Sequence, residues 1–88
     1  MKSHTRPSFR RLFDALPRDI QAEAVKAYKT WRDDPSYPGL QFKQVKPTTP
    51  PLYSVRITRN WRALGYLEGD TVVWVWIGPH DEYMRLIK

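Results

Sequence analysis

The sequence predicts an α+β fold, with an N-terminal helical hairpin packed on a twisted antiparallel sheet of three to four strands and a short C-terminal helix. Three observations lead there. Apolar residues recur at helical spacing as far as Trp31 and then, beyond Pro38-Gly39, at every second position. The run Val72-Val73-Trp74-Val75-Trp76-Ile77 is β-branched and aromatic on both faces, the pattern of a central strand covered on both sides. Four Trp, five Tyr and three Phe among 88 residues can fill one dense core and leave no material for a second, so residues 1–88 form a single domain.

Each element has a local cause. Thr5-Arg6-Pro7 starts a first helix, with Pro7 in the turn where its missing N–H has no partner to lose. Phe9, Leu12, Phe13 and Leu16 follow at helical spacing, and Pro17 ends that segment and opens the next. From Pro17 to about Asp34, Ile20, Ala24, Ala27, Tyr28 and Trp31 make one apolar stripe. Asp33-Asp34-Pro35 stops it, because proline disfavours the helical conformation in the residue before it. Leu40 and Phe42, alternating with Gln41 and Lys43, read as a first strand, and Pro47-Thr48-Thr49-Pro50-Pro51 as an irregular connection. A second strand follows in Tyr53, Val55 and Ile57, which alternate with Ser54, Arg56 and Thr58. Trp61 to Leu67 and Thr71 to Ile77 are two further strands joined at Glu68-Gly69-Asp70. Gly78-Pro79 breaks the last one, and Asp81 and Glu82 suit the first turn of a closing helix.

Composition narrows the function. There is no cysteine, hence no disulfide framework and no thiolate metal site. The N-terminus carries no apolar stretch after its basic residues, unlike a signal peptide, and the run Val72 to Gly78 is far too short to span a bilayer. A cytoplasmic location away from membranes is therefore expected. Fifteen Lys and Arg against nine Asp and Glu give a net charge of +6, with a pI near 9.9. Such a balance fits contact with a polyanion, nucleic acid first. It equally fits an acidic protein partner.

Two constellations can carry chemistry. His80 directly follows the apolar strand, where side chains project from the end of a sheet. Histidine is the side chain that exchanges protons near neutrality, and Tyr83, three residues on, shares its face in a helical turn. The competing reading is that His80 only packs the strand–helix junction. In Arg56-Ile57-Thr58-Arg59-Asn60-Trp61-Arg62, three arginines surround a strand–turn–strand element, and guanidinium groups grip phosphates in a planar, bidentate way. Arg56 and Arg62 on facing strands can project from one face, Arg59 sits at the turn, and Lys43 and Lys46 extend the positive surface if they share that face. An ordinary polar sheet face is the alternative. Trp31, Trp74 and Trp76 read as core, whereas Trp61 and Tyr66, lying among the arginines, could also stack on a nucleobase. His4 and His80 lack the carboxylate or thiol cluster of a metal site, and the four glycines are too scattered for a phosphate loop, so no metal or cofactor is expected.

These residues resemble the RelE/ParE toxins. The order of elements is similar to theirs, and the additional first strand usual in the family would fall at Lys2 to Arg6. Tyr53-Ser54-Val55-Arg56-Ile57 followed by Trp61-Arg62-Ala63-Leu64-Gly65 looks like the family's paired-strand arginine element. Trp76-Ile77-Gly78-Pro79-His80-Asp81-Glu82-Tyr83 looks like its closing element, and Leu16-Pro17 and Asp34-Pro35 match its punctuation. The resemblance implies a metal-independent ribonuclease that cuts mRNA in the ribosomal A site. It also implies a cognate antitoxin, through which alone operator DNA would be contacted. In that chemistry the ribose 2′-hydroxyl attacks the adjacent phosphate and the 5′-oxygen leaves. By resemblance Arg62 stabilises the phosphorane, His80 is the general acid or base, and Tyr83 orients or stacks on the substrate. Lys43, Lys46, Arg56, Arg59 and Trp61 would hold the RNA. The paired lysines of some relatives are replaced here by Tyr53-Ser54-Val55-Arg56, and the glutamate base of others has no clear counterpart, so the resemblance leaves the base open, with His80 the candidate chosen. The gyrase-poisoning branch shares the fold without a nuclease site, and a non-toxic relative kept for antitoxin binding is the third reading.

Overall fold

The computed structural model describes residues Met1 to Lys88. In chain order these form β1 (Lys2–Thr5), α1 (Pro7–Asp14), α2 (Arg18–Asp33), one 3-10 turn (Pro38–Leu40), β2 (Lys43–Lys46), β3 (Leu52–Thr58), β4 (Trp61–Glu68), β5 (Thr71–Pro79) and α3 (His80–Leu86). The α+β class holds, with a larger sheet than expected: five strands in the order β1-β5-β4-β3-β2. The added strand is β1, which pairs parallel to β5 from Lys2 opposite Thr71 to Thr5 opposite Trp74. Lys-Ser-His-Thr carries no apolar residue, so no hydrophobic alternation announces it. Backbone pairing places it, with a hydrogen bond between the Ser3 and Tyr28 hydroxyls (2.9 Å) tying it to α2.

Neither helix of the hairpin has a side-chain N-cap. Their junction is tied instead by Gln21, whose Nε2 donates to the carbonyls of Phe13 (2.9 Å) and Asp14 (3.3 Å) at the end of α1. Those carbonyls belong to the last turn, where the regular i+4 donors run out, and the Phe13 carbonyl also accepts from the Leu16 N–H (3.1 Å). α2 stops as predicted before Pro35, with Asp34 already extended at φ −151°. The predicted strand at Leu40–Phe42 is corrected. Leu40 ends the 3-10 turn and Gln41 is left-handed at φ 47°, so β2 begins only at Lys43. The turn sends Leu40 and Phe42 into the same core, which a spacing of two cannot distinguish from a strand.

The sheet is covered on two sides. Under α1 and α2 lies the main core, built from Ala24, Trp31, Leu40, Val55, Ala63, Val72, Trp74 and Ile77. Trp31 stands edge-on to Trp74 (5.4 Å between ring centres) and to Phe42 (5.8 Å). The other side carries a smaller cluster of Leu52, Leu64 and Tyr83, with Val75, Trp76 and Ile87 against it. β5 serves both, as its two apolar faces predict. A register slip between β4 and β5 pairs Leu64 with Trp76 but Gly65 with Trp74, leaving Val75 over. That bulge keeps Trp74 and Ile77 on the helix side although they are three residues apart. Ser8 Oγ donates to the Val75 carbonyl (3.0 Å) there. Gly65 is required beside it: a Cβ would lie 2.7 Å from Val72 Cγ1 and 2.8 Å from Trp74 Cε3. No helix is long and apolar enough to cross a membrane.

Candidate functional site

The register of three strands gathers the basic residues. Lys43 of β2 pairs with Ser54 of β3, Arg56 of β3 with Arg62 of β4, and Arg62 with Gly78 of β5. Alternate residues of a strand share a face, so Ser54 and Arg56 lie on the same side, opposite Lys43 and Arg62 respectively. That side carries α3. The result is a cleft of about 330 Å³ lined by Lys43, Ser54, Arg56, Arg62, His80 and Tyr83, with an apolar wall of Val45, Met84 and Ile87. No carboxylate is among its lining side chains.

His80 opens α3 where the sheet ends. Its backbone N–H donates to the Asn60 carbonyl (2.8 Å), one step past the last ladder pair, Trp61 with Pro79. This bond fixes the start of α3 beside the β3–β4 turn, and the imidazole has 39% of its side chain exposed. Asp81 approaches Nδ1 at 3.9 Å, but its carboxylate is almost fully in water, where such a pair contributes little.

Arg62 has a structural task as well as a chemical one. Its Nη1 donates to the carbonyls of Thr58 (2.6 Å), Trp61 (3.0 Å) and Arg59 (3.1 Å), closing the turn that sequence reading treated only as a source of arginines. The guanidinium carbon lies 5.9 Å from the centre of the Tyr83 ring. Burial pushes the Arg62 pKa down and the like charge of Arg56 pushes it further, with Tyr83 acting the other way. A guanidinium partly stripped of water beside a second one, with no acid in the cleft, is an unneutralised cationic site. An anion entering there gains what the protein withholds.

Five of the residues singled out from sequence therefore meet in one cleft: Lys43, Arg56, Arg62, His80 and Tyr83. Lys46, Arg59 and Trp61 do not line it. Val45, two residues beyond Lys43 on the same face, lines the cleft, and Lys46, past the register slip that follows Gln44, does not. Arg59 is exposed at the turn and contributes its carbonyl to Arg62. Tyr83 is only 5% exposed, and its hydroxyl donates to Ser54 Oγ at 3.1 Å. Ser54, itself 2% exposed, was missed as a site residue. Its one sequence signal is a small polar residue between Leu52 and Arg56 on a sheet face that turns out to be covered.

Fold and cleft together define a class, the small α+β toxin domains of the RelE/ParE superfamily. Residues 18–85 match the ParE-like toxin domain, and the chain belongs to that family. Its structure is similar to the toxin–antitoxin complexes RelB–RelE of Methanococcus jannaschii (TM-score 0.72, 15% identity, 96% of this chain and 98% of that one) and RelBE2 of Mycobacterium tuberculosis (0.70, 21%, 90% and 96%). The RelE–RelB complex of Pyrococcus horikoshii is similar too (0.70, 11%, 89% and 92%). At these identities the likeness is one of fold. Comparison with curated protein sequences finds no match.

Proposed function

We propose that this protein is the toxin of a toxin–antitoxin system and acts in the cytoplasm as a ribosome-dependent mRNA endoribonuclease. The observation that carries this reading is the single cleft in which Arg62, Arg56 and Lys43 stand with His80 and no carboxylate. A phosphodiester entering it meets cations on one wall and an imidazole at the rim. Arg62, its Nη1 held by the turn carbonyls, offers its remaining guanidinium N–H groups to the non-bridging oxygens. Their negative charge grows as the 2′-oxygen attacks, and preorganised donors act most strongly on charge that develops in the transition state. Arg56 and Lys43 hold the flanking phosphates. His80 takes the 2′-hydroxyl proton, since it is the cleft group whose chemistry suits proton exchange near neutral pH. The bond to the 5′-oxygen breaks and that oxygen takes a proton from water, leaving a 2′,3′-cyclic phosphate and a new 5′-hydroxyl end. Tyr83, its hydroxyl already engaged, acts through its ring.

An antitoxin with an acidic or amphipathic segment would neutralise the protein by filling this cleft, and operator DNA would be reached only through that partner. The family's ParE-like description supports a second reading, inhibition of DNA gyrase by protein contact without RNA cleavage. Mapping 5′ ends on translated and untranslated copies of one message after induction separates the two. Discrete new ends on the translated copy alone support the nuclease. Growth arrest with no new ends, together with stalled gyrase, overturns it.

A further inference from the structure

The Tyr83 ring touches both groups to which the reaction is assigned. Its centre lies 5.9 Å from the Arg62 guanidinium carbon and 5.8 Å from the centre of the His80 ring. The turn carbonyls hold one end of Arg62 and Asn60 holds the backbone of His80, and whatever fixes the ring between the two side chains bears on the spacing of phosphate holder and proton carrier. Tyr83 comes from α3, a helix of seven residues that cannot hold itself in place by its own backbone. The ring must therefore be anchored from the sheet. Its hydroxyl is buried, and a buried hydroxyl without a partner is unfavourable enough to draw the group toward water. The partner is Ser54 Oγ, at 3.1 Å on the central part of β3, between Leu52 and Arg56 on the same face.

We infer that Ser54 is a positioning residue: its hydrogen bond to Tyr83 sets the ring that spaces Arg62 from His80. Ser54 makes no contact with substrate in this scheme. It acts through Tyr83, and the phenol hydroxyl is used for anchoring and takes no part in proton transfer. The activity side of the inference rests on the nuclease reading above, whereas the geometric side stands on the free protein.

The test follows both sides. In NMR spectra of the free protein, Ser54→Ala shifts the His80 ring-proton resonances, because the aromatic ring beside them moves, and Ser54→Thr leaves them in place. With ribosome-bound message, Ser54→Ala slows cleavage at saturation about tenfold, the scale expected when a reacting group loses its alignment, while half-saturation changes less than twofold. Ser54→Thr restores the rate. Tyr83→Phe, which keeps the ring and removes the hydroxyl, matches Ser54→Ala, and the double substitution is no slower than either single one. Additive losses in the double variant overturn the inference. So do unmoved His80 resonances in Ser54→Ala, or resonances that move while the rate holds. If the unaltered protein cuts no message, the nuclease reading falls, and the NMR comparison still decides whether Ser54 holds the ring.

Discussion

The two faces of the sheet share the same five strands and hold opposite contents. The helix side is aromatic and apolar, with Trp31 1% and Ile77 2% exposed, and the cavity of about 610 Å³ between its helices and the sheet is lined mainly by hydrophobic side chains. The α3 side buries Leu52, Leu64 and Tyr83, with Ser54 beneath the tyrosine, before it gives way to a cleft of charged groups. A domain of this size has little stability to spare, so it cannot leave both faces polar. Concentrating apolar contacts under α1 and α2 lets the opposite face hold two guanidinium groups close together, an arrangement that opposes folding on its own. The bulge at Val75 is the switch point: Trp74 and Ile77 go to one side, Val75 and Trp76 to the other.

Four substitutions break or sharpen this contrast. Trp74→Ala, on the apolar face, should lower unfolding free energy by about 3–5 kcal/mol, a large part of what such a domain possesses. Urea unfolding reads it, and a midpoint near that of the unaltered protein would show that stability does not reside under the helices. Arg62→Ala and His80→Ala, on the open face, should each cut message cleavage by about 10²–10³-fold. Their stabilities should differ: His80→Ala stays within about 0.5 kcal/mol of the parent, whereas Arg62→Ala loses the turn contacts and falls by about 1–2 kcal/mol. Equal unfolding midpoints for the pair would remove the structural half of the Arg62 assignment. Gly65→Ala should cost about 1–3 kcal/mol by crowding Val72 and Trp74. It should leave cleavage by the folded fraction unchanged, and a direct loss of rate would mean that the two faces are coupled through β4.

Long periodic segments were legible in the sequence, and so were their stops. α2 ends before Pro35 and β5 has neighbours on both sides, as proline chemistry and two-sided apolarity predict. Its polarity hides β1 from apolar periodicity, so that only the family resemblance places a strand there, and the left-handed Gln41 hides the start of β2. At the site, residue types and order pointed to Arg62 and His80, but their meeting depends on pairings that no local pattern encodes: Arg62 opposite Gly78, and His80 N–H on Asn60. Ser54 was illegible for the same reason. Its strand reads as a polar outward position, and its partner Tyr83 is 29 residues away.

The parallel pairing at the sheet's edge protects the molecule from its own best strand. Val72-Val73-Trp74-Val75-Trp76-Ile77 has no charge and no proline, a composition that, left with free N–H and C=O groups, templates the stacking of identical chains. By occupying the first half of that border, Lys2–Thr5 replaces it with a short, polar outer strand bearing a lysine and a histidine, followed at once by Arg6-Pro7. Four residues that add no apolar side chain to either core thereby act as a guard against fibril-like self-association.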